Sequence, residues 1–514
     1  MKNMKKILLL LASASFVAPS VFAAGTRADD AEVVPAKGEY AVLISEKTLK
    51  QKDWKAAAAK FVKRYNGKLI VWRGNDVSSA KNVLKKTAPR YVAVVAAPEE
   101  IDRVFVAKLH KLSREMNDDI YGDFLWGIVT GKDGATAGTL LGKDKPLILD
   151  RALGTTNFDQ KRFKKSAFIT DWGPREFIET ENYVSSEKTN APADAEMVDI
   201  FAKFWEEKRP QFLISASHAT EFNLEMPFGE GLIASAGTDF YLVPRKQRTN
   251  FVYTLGKEEK AKELFKKENL KKLPKTPDEK VWIASGNCLF GDALRTPFSM
   301  VITAISAANV KQFVGYTVPT WFGEGGWGTS GQFFGGHQAT SVGQAWFFNN
   351  QILLKNLPEA LVHVPVRLNP EGMDSLNMEE IAMAVLAKQM EPTRELMGRI
   401  HDRDTVAFYG DPLYRTRFNP DAPSTQPWNC TVSRDSGAQK FTVKPTDGNA
   451  YKGDFCLWFP ERIFVAKTTA RIVGGNEKTE VKPDILTENF VIFRGLELKE
   501  GETLKISTKP GTKK

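Results

Sequence analysis

Apolar and polar positions fall into alternating blocks over the first hundred residues. Three short β-branched runs, Tyr40 to Ile44, Lys68 to Trp72 and Tyr91 to Ala96, are separated by alanine- and lysine-rich stretches of helical composition, Lys52 to Tyr65 and Ser78 to Lys86. Continuous apolar runs that alternate with helices predict a parallel sheet covered on both faces. A further helix is expected over Glu99 to Met116, with Ile101, Val104, Phe105 and Leu112 near one stripe and His110 as a solvated surface residue.

The alternation resumes after residue 160, with runs at Ser166 to Thr170, Gln211 to Ser215, Val281 to Ser285 and Gln312 to Gly315. Each gives way to loop residues at its C-terminal end, where an open α/β sheet gathers its chemistry. Lys257 to Lys272, dense in Lys and Glu, predicts a solvated helix. Beyond about Arg417 the helical pattern ends, its last stretch being Met378 to Met397. Phe441 to Val443, Phe455 to Phe459, Ile463 to Ala466 and Phe490 to Phe493 then alternate with turn-rich segments, the pattern of a small β-sandwich.

A chain of 514 residues, 42% hydrophobic and 26% charged, is longer than one core fills and should divide into two or three packed units. Fibrous, coiled-coil and largely disordered classes are excluded. Lys2, Lys5 and Lys6 precede the apolar run Ile7 to Val17, and Val21-Phe22-Ala23 follows it. That is the pattern of a signal peptide over 1–23, too short an apolar run to span a bilayer comfortably. It predicts an exported chain, secreted, periplasmic or at the cell surface, with no integral span after cleavage. Three of the ten net positive charges leave with that segment. The remaining lysines are interspersed with acids, so no basic stripe marks a nucleic-acid partner.

Three cysteines in an exported chain leave one unpaired. Cys430 and Cys456 share the strand-rich tail and make the economical disulfide, which leaves Cys288 as a free thiol. A buried, inert cysteine is the competing reading. No HExxH, CxxC pair or GxxxxGK(S/T) motif occurs, and neither a metal nor an organic cofactor is expected. Gly328-Thr329-Ser330-Gly331 fails as a serine-hydrolase elbow, because Gln332 stands in the place of its last glycine.

Two strand ends carry chemistry instead. Phe212-Leu213-Ile214-Ser215-Ala216-Ser217-His218 delivers an imidazole, and Val281-Trp282-Ile283-Ala284-Ser285-Gly286-Asn287-Cys288 delivers the free thiol. If the two strands are parallel neighbours, both open on one edge. There the imidazole can take the thiol proton and later protonate a leaving amine. Phe298, Val301, Ile302 and Ile305 predict an amphipathic helix over Ala293 to Asn309. Its first turn would lie near the sulfur, where backbone N–H groups and the helix dipole favour a thiolate. The alternative is that His218 and Cys288 are unrelated strand-end residues.

The order of these blocks resembles the gingipain-like cysteine peptidases, relatives of the caspases. In that family one hydrophobic block ends in His-Gly and a later one in Cys, here followed by Leu289-Phe290-Gly291-Asp292. Ala88 to Val95, Asp118-Asp119-Ile120-Tyr121-Gly122-Asp123 ahead of Gly127, Val310 to Tyr316, and Phe408-Tyr409-Gly410-Asp411-Pro412-Leu413 are similar to further family elements in the same order. The resemblance covers residues 40–416 loosely. It implies an α/β fold with a caspase-like open, mostly parallel sheet flanked by helices. An N-terminal α/β subdomain would span 24–155 and a catalytic subdomain 156–416, with an immunoglobulin-like β-sandwich over 417–514.

The same resemblance implies an exported cysteine-type endopeptidase that hydrolyses polypeptide substrates through a thioester acyl-enzyme. Cys288 would be the nucleophile, His218 the general acid/base, and the backbone N–H groups of Cys288 and Ala219 the oxyanion donors. Asp171, after Phe168-Ile169-Thr170, matches the acid that orients the histidine; a turn-capping aspartate is the plainer alternative. Glu176, Glu179 and Glu181 follow, and Glu179 or Glu181 would sit at the base of a pocket for Arg or Lys. Gly323 to Gly336 predicts a groove-lining loop with Trp321 and Trp327 as an aromatic wall, or else a loop capping the core. His337 is an alternative base. Two departures stand out: Ala219 replaces the family's glycine and adds a methyl where substrate passes, and 70 residues separate His218 from Cys288, more than usual. Both favour the competing reading of an inactive, peptidase-like binding or assembly protein of the cell envelope. A hydrolase of some other amide shares the chemistry.

Overall fold

Four strands, β1 (Tyr40–Ser45), β2 (Lys68–Trp72), β3 (Tyr91–Val95) and β4 (Leu125–Val129), run parallel in the order β2-β1-β3-β4. Every residue of β1, β3 and β4 is buried. Cover on both faces is the reason these runs are continuous rather than alternating. These coordinates come from a computed structural model, which describes residues 35–511 apart from 237–238, 249–262, 264–267, 269, 366–367, 370–377 and 436. The expected leader over 1–23 and nearly all of the expected Lys257 to Lys272 helix lie outside the described residues.

Later strands extend the same sheet: β5 (Arg151–Gly154), β6 (Lys165–Ile169), β7 (Glu176–Glu181), β8 (Phe212–Ser215), β9 (Lys280–Ala284), β10 (Val310–Tyr316) and β11 (Val406–Tyr409). The order across it is β7-β6-β5-β8-β9-β10-β11-β4-β3-β1-β2, and two short ribbon strands at β7 bring the total to thirteen. Along this order only the β6–β7 and β10–β11 pairs are antiparallel. The two halves of the sheet therefore run in opposite directions and meet at the β10–β11 seam, where Phe313 lies opposite Tyr409, while Tyr409 opposite Ile128 joins β11 to β4 in parallel. The result is a mixed α/β fold with one large, mostly parallel sheet flanked by helices.

Helix α1 (Lys52–Tyr65) lies where its composition placed it, α2 (Arg103–Ser113) starts only after Asp102, whose side chain caps Phe105 N, and α3 (Met197–Lys208) leads into β8. His110 on α2 is buried, not solvated. Its Nε2 lies 2.9 Å from Val406 O, and its ring packs against Trp126 and Trp346. Among the described residues no helix is long and apolar enough to cross a membrane.

From Trp428 onward the chain forms antiparallel sheets of five and three strands around a shared core. Ile463 to Ala466 is not a strand; only a short 3-10 turn, Val465–Lys467, occurs there. The expected disulfide is also absent, and all three cysteines are free. Along Tyr451–Trp458, Phe455 and Leu457 face the sandwich core with Cys430, whereas Cys456 and Trp458 face the α/β body. The pleat thus turns the two thiols to opposite sides. Arg90, fully buried, holds the sandwich to the body. It donates to Phe459 O, to Pro460 O at 2.9 Å and to Asn489 Oδ1 at 3.0 Å.

Candidate active site

Strands β8 and β9 are parallel neighbours, with Ser215 opposite Ala284. Both therefore release the chain at one edge, and His218 and Cys288 follow within a few residues. Fully buried Asn287 ties the two exits together. Its Nδ2 donates to Ser217 O at 2.5 Å, its Oδ1 accepts from Ser215 Oγ at 2.5 Å, and Trp282 Nε1 donates to Ser215 Oγ at 3.0 Å. Sequence reasoning passed over Asn287. Its signal was a polar side chain closing an apolar buried run, a group that must find partners inside.

Past Cys288 the backbone bends hard. Leu289, Leu294 and Arg295 have φ of 61°, 46° and 53°, left-handed values that cost about 1–2 kcal/mol each outside glycine. Gly291 passes so close to β10 that a Cβ would run into Gly315 O. The helix expected from Ala293 begins only at Met300: α4 spans Met300–Ala307. The left-handed pair at 294–295 and the restriction that Pro297 places on Thr296 hold off the helix until then. No helix start lies at the sulfur. Its donor is instead the backbone N–H of Thr320, 3.2 Å from Sγ. The Cys288 N–H has no acceptor among the described residues.

His218 and Cys288 line one cleft of about 630 Å³. The histidine is exposed and the cysteine half-buried. Asp171 shares the cleft, yet its carboxylate accepts from Thr156 Oγ1 at 2.6 Å rather than from the imidazole. The expected acid-to-histidine bond is not formed. Ala219 is buried behind His218 at 7% exposure. Glu225 N donates to His218 O at 2.8 Å, so Ala219 and Leu224 are a pair without hydrogen bonds, and the Ala219 N–H turns away from that strand.

The specificity-pocket glutamates belong elsewhere. Glu179 and Glu181 bind Lys208 at 2.7 and 2.8 Å, and Glu176 binds Lys188 at 2.7 Å. Glu181 stands opposite Lys165, at the start of β6 and so at the other end of that strand from Asp171. His337 is no alternative base. It is buried beside Phe455 of the sandwich, its Nδ1 accepts from Ala339 N at 3.1 Å, and burial pushes it down to about 4.

Trp321 and Trp327 do line the cleft, at 38% and 42% exposure. Trp327 stands on a helix rather than a loop: Gly323 to Gly336 forms α5 (Glu324–Gly335). The glycines there reflect close packing, since a Cβ on Gly326 would run into Ser285 O beside the cysteine loop. Across the cleft, Glu225 pairs with Arg248 at 2.8 Å. Phe228 beside them has φ 60° and ψ 19° and is 53% exposed. A bulky residue in that conformation is an outlier. Among the described residues no group of three or more His, Cys, Asp or Glu side chains is placed to hold a metal ion.

No protein-family model matches the chain, and no curated protein does. Among solved structures it is similar to a GH30 endoxylanase from Clostridium papyrosolvens C71 (6% identity, 95% of this chain and 98% of that one, TM-score 0.13). It is similar in the same degree to Cel44A, a GH family 44 endoglucanase from Clostridium thermocellum (9% identity, 85% and 71%, TM-score 0.13), and to a beta-arabinopyranosidase (9% identity, 90% and 55%, TM-score 0.12). Overlaps of that degree carry no argument about fold or activity.

Proposed function

We propose that this chain is an exported cysteine endopeptidase acting through Cys288 and His218. One observation carries the reading: the two residues follow adjacent parallel strands at one edge, the segments leading to them are tied together by Asn287, and both line a common cleft. On this reading the central sheet is caspase-like and the C-terminal sheets immunoglobulin-like, in keeping with the gingipain-like resemblance.

The reaction closes with water as the only co-reactant. His218 takes the Cys288 proton, and the thiolate attacks the scissile carbonyl carbon. The resulting oxyanion meets the Cys288 N–H. The imidazolium then gives its proton to the amine as the C–N bond breaks, leaving a thioester. Water, deprotonated by the same imidazole, attacks the thioester and returns the thiol.

Peptidyl acyloxymethyl ketones of varied P1 side chain test this, with the adduct mapped by mass spectrometry. The expected result is stoichiometric labelling at Cys288 that disappears in His218→Ala. Unmodified Cys288 across the series overturns the reading. It would favour a binding or assembly protein on the same scaffold, which the Thr156 bond to Asp171 and the burial of Ala219 support.

A further inference from the structure

Arg103 is the first residue of α2, in the N-terminal half of the chain, and its side chain is fully buried. Its Nε and Nη2 lie 2.8 and 2.7 Å from Asp292 Oδ2, on the loop that begins at Cys288. The same Nη2 lies 3.3 Å from Glu221 Oε1, on the loop that begins at His218. Each carboxylate residue is fixed in turn. Asp292 Oδ1 accepts Leu294 N–H at 2.9 Å, and Glu221 O accepts the N–H of Met300, where α4 starts, at 2.7 Å. The neighbours of Arg103 reinforce the junction. Ile101 O accepts Arg295 N–H at 2.8 Å, and Asp102 Oδ2 pairs with the Arg295 guanidinium at 2.5 Å.

A buried charge persists only where it is paired. A guanidinium carries its donors in a rigid planar fork and so fixes the angle between two carboxylates, whereas the ammonium of lysine, a point charge on a flexible stem, can hold two carboxylates without fixing their relative placement. The loop between Leu289 and Arg295 is also the one carrying three left-handed residues, a conformation that lasts only while its surroundings enforce it. The proposed reaction leaves Arg103 unused, and Arg103 does not line the cleft.

We propose that Arg103 is a positioning residue, which by binding Asp292 and Glu221 together sets the cysteine loop against the histidine loop. The inference rests on the dyad reading above. It makes the N-terminal half of the sheet part of the reactive apparatus rather than an appendage.

The test uses Arg103→Lys and Glu221→Gln in the full chain, with the acyloxymethyl ketone series and hydrogen exchange as readouts. In Arg103→Lys the maximal labelling rate falls by about tenfold or more while the half-saturating concentration stays near wild type, because geometry rather than binding is lost. Glu221→Gln, which leaves the Asp292 pair intact, falls less. In both, exchange rises over 217–224 and over 288–296. If Arg103→Lys does not fold, Glu221→Gln decides alone. Labelling within about twofold of wild type in the folded variants overturns the proposal. If wild-type Cys288 resists the ketone, the dyad reading has failed and exchange alone judges the tether. Loosening of both loops then supports it, and loosening of one or neither overturns it.

Discussion

Asn287 Nδ2 donates to Ser217 O at 2.5 Å, so the residues immediately before the two reactive side chains are bonded to each other. Asn287→Ala leaves Ser217 O and Ser215 Oγ short of a partner inside the protein. It should destabilise the fold by about 2–3 kcal/mol and slow ketone labelling of Cys288 by about tenfold or more. Urea unfolding and adduct kinetics check the two effects separately, and a loss of stability with unchanged labelling would contradict the positional role.

Phe228 combines an unfavourable backbone with an exposed ring at the cleft. Phe228→Gly removes the strain and should raise stability by about 1 kcal/mol. The same change should raise the half-saturating concentration of ketones bearing bulky apolar side chains, with little change for small ones. Thermal unfolding and a labelling series together read this trade between stability and recognition.

Buried neutral histidines make the fold acid-sensitive. Burial pushes His110 and His337 down to about 4 from an ordinary 6.5. As pH falls below 6.5 the unfolded chain takes up these protons while the folded one does not until about 4. Their stabilisation is complete above 6.5 and is lost across that window, by up to ~3 kcal/mol per histidine. Urea midpoints at pH 7.5 and pH 5 should differ less in His337→Phe than in wild type.

Arg90 is a buried polar anchor of the C-terminal sheets. Arg90→Met strands two carbonyls and Asn489 at a buried junction, which should cost about 3–5 kcal/mol. Calorimetry should then show the sandwich unfolding ahead of the α/β body.

Much of the framework was legible in the sequence. β2 and α1 span the residues that pattern alone indicated, and β10 extends the Gln312 to Gly315 run at both ends, a run left unbroken because that strand is covered on both faces. That His218 and Cys288 share one cleft was legible too, since each follows such a run. What escaped was set by contacts between distant residues. The glycines of α5 read as a loop until Ser285 O is seen to occupy the space that a side chain would need. The start of α4 depends on a strained loop fastened by Arg103, and no local periodicity reports it. Glu179 and Glu181 looked available until Lys208 was placed beside them. His110 read as a solvated residue because nothing local to its helix announces Trp126 and Trp346, which pack against its ring.

The pleat that sends Cys430 and Cys456 to opposite faces has a practical consequence. With no covalent cross-link to form, maturation does not wait on an oxidant or an isomerase. Cohesion comes from packing and hydrogen bonds, those of Arg90 among them, so a reducing agent should leave the fold untouched.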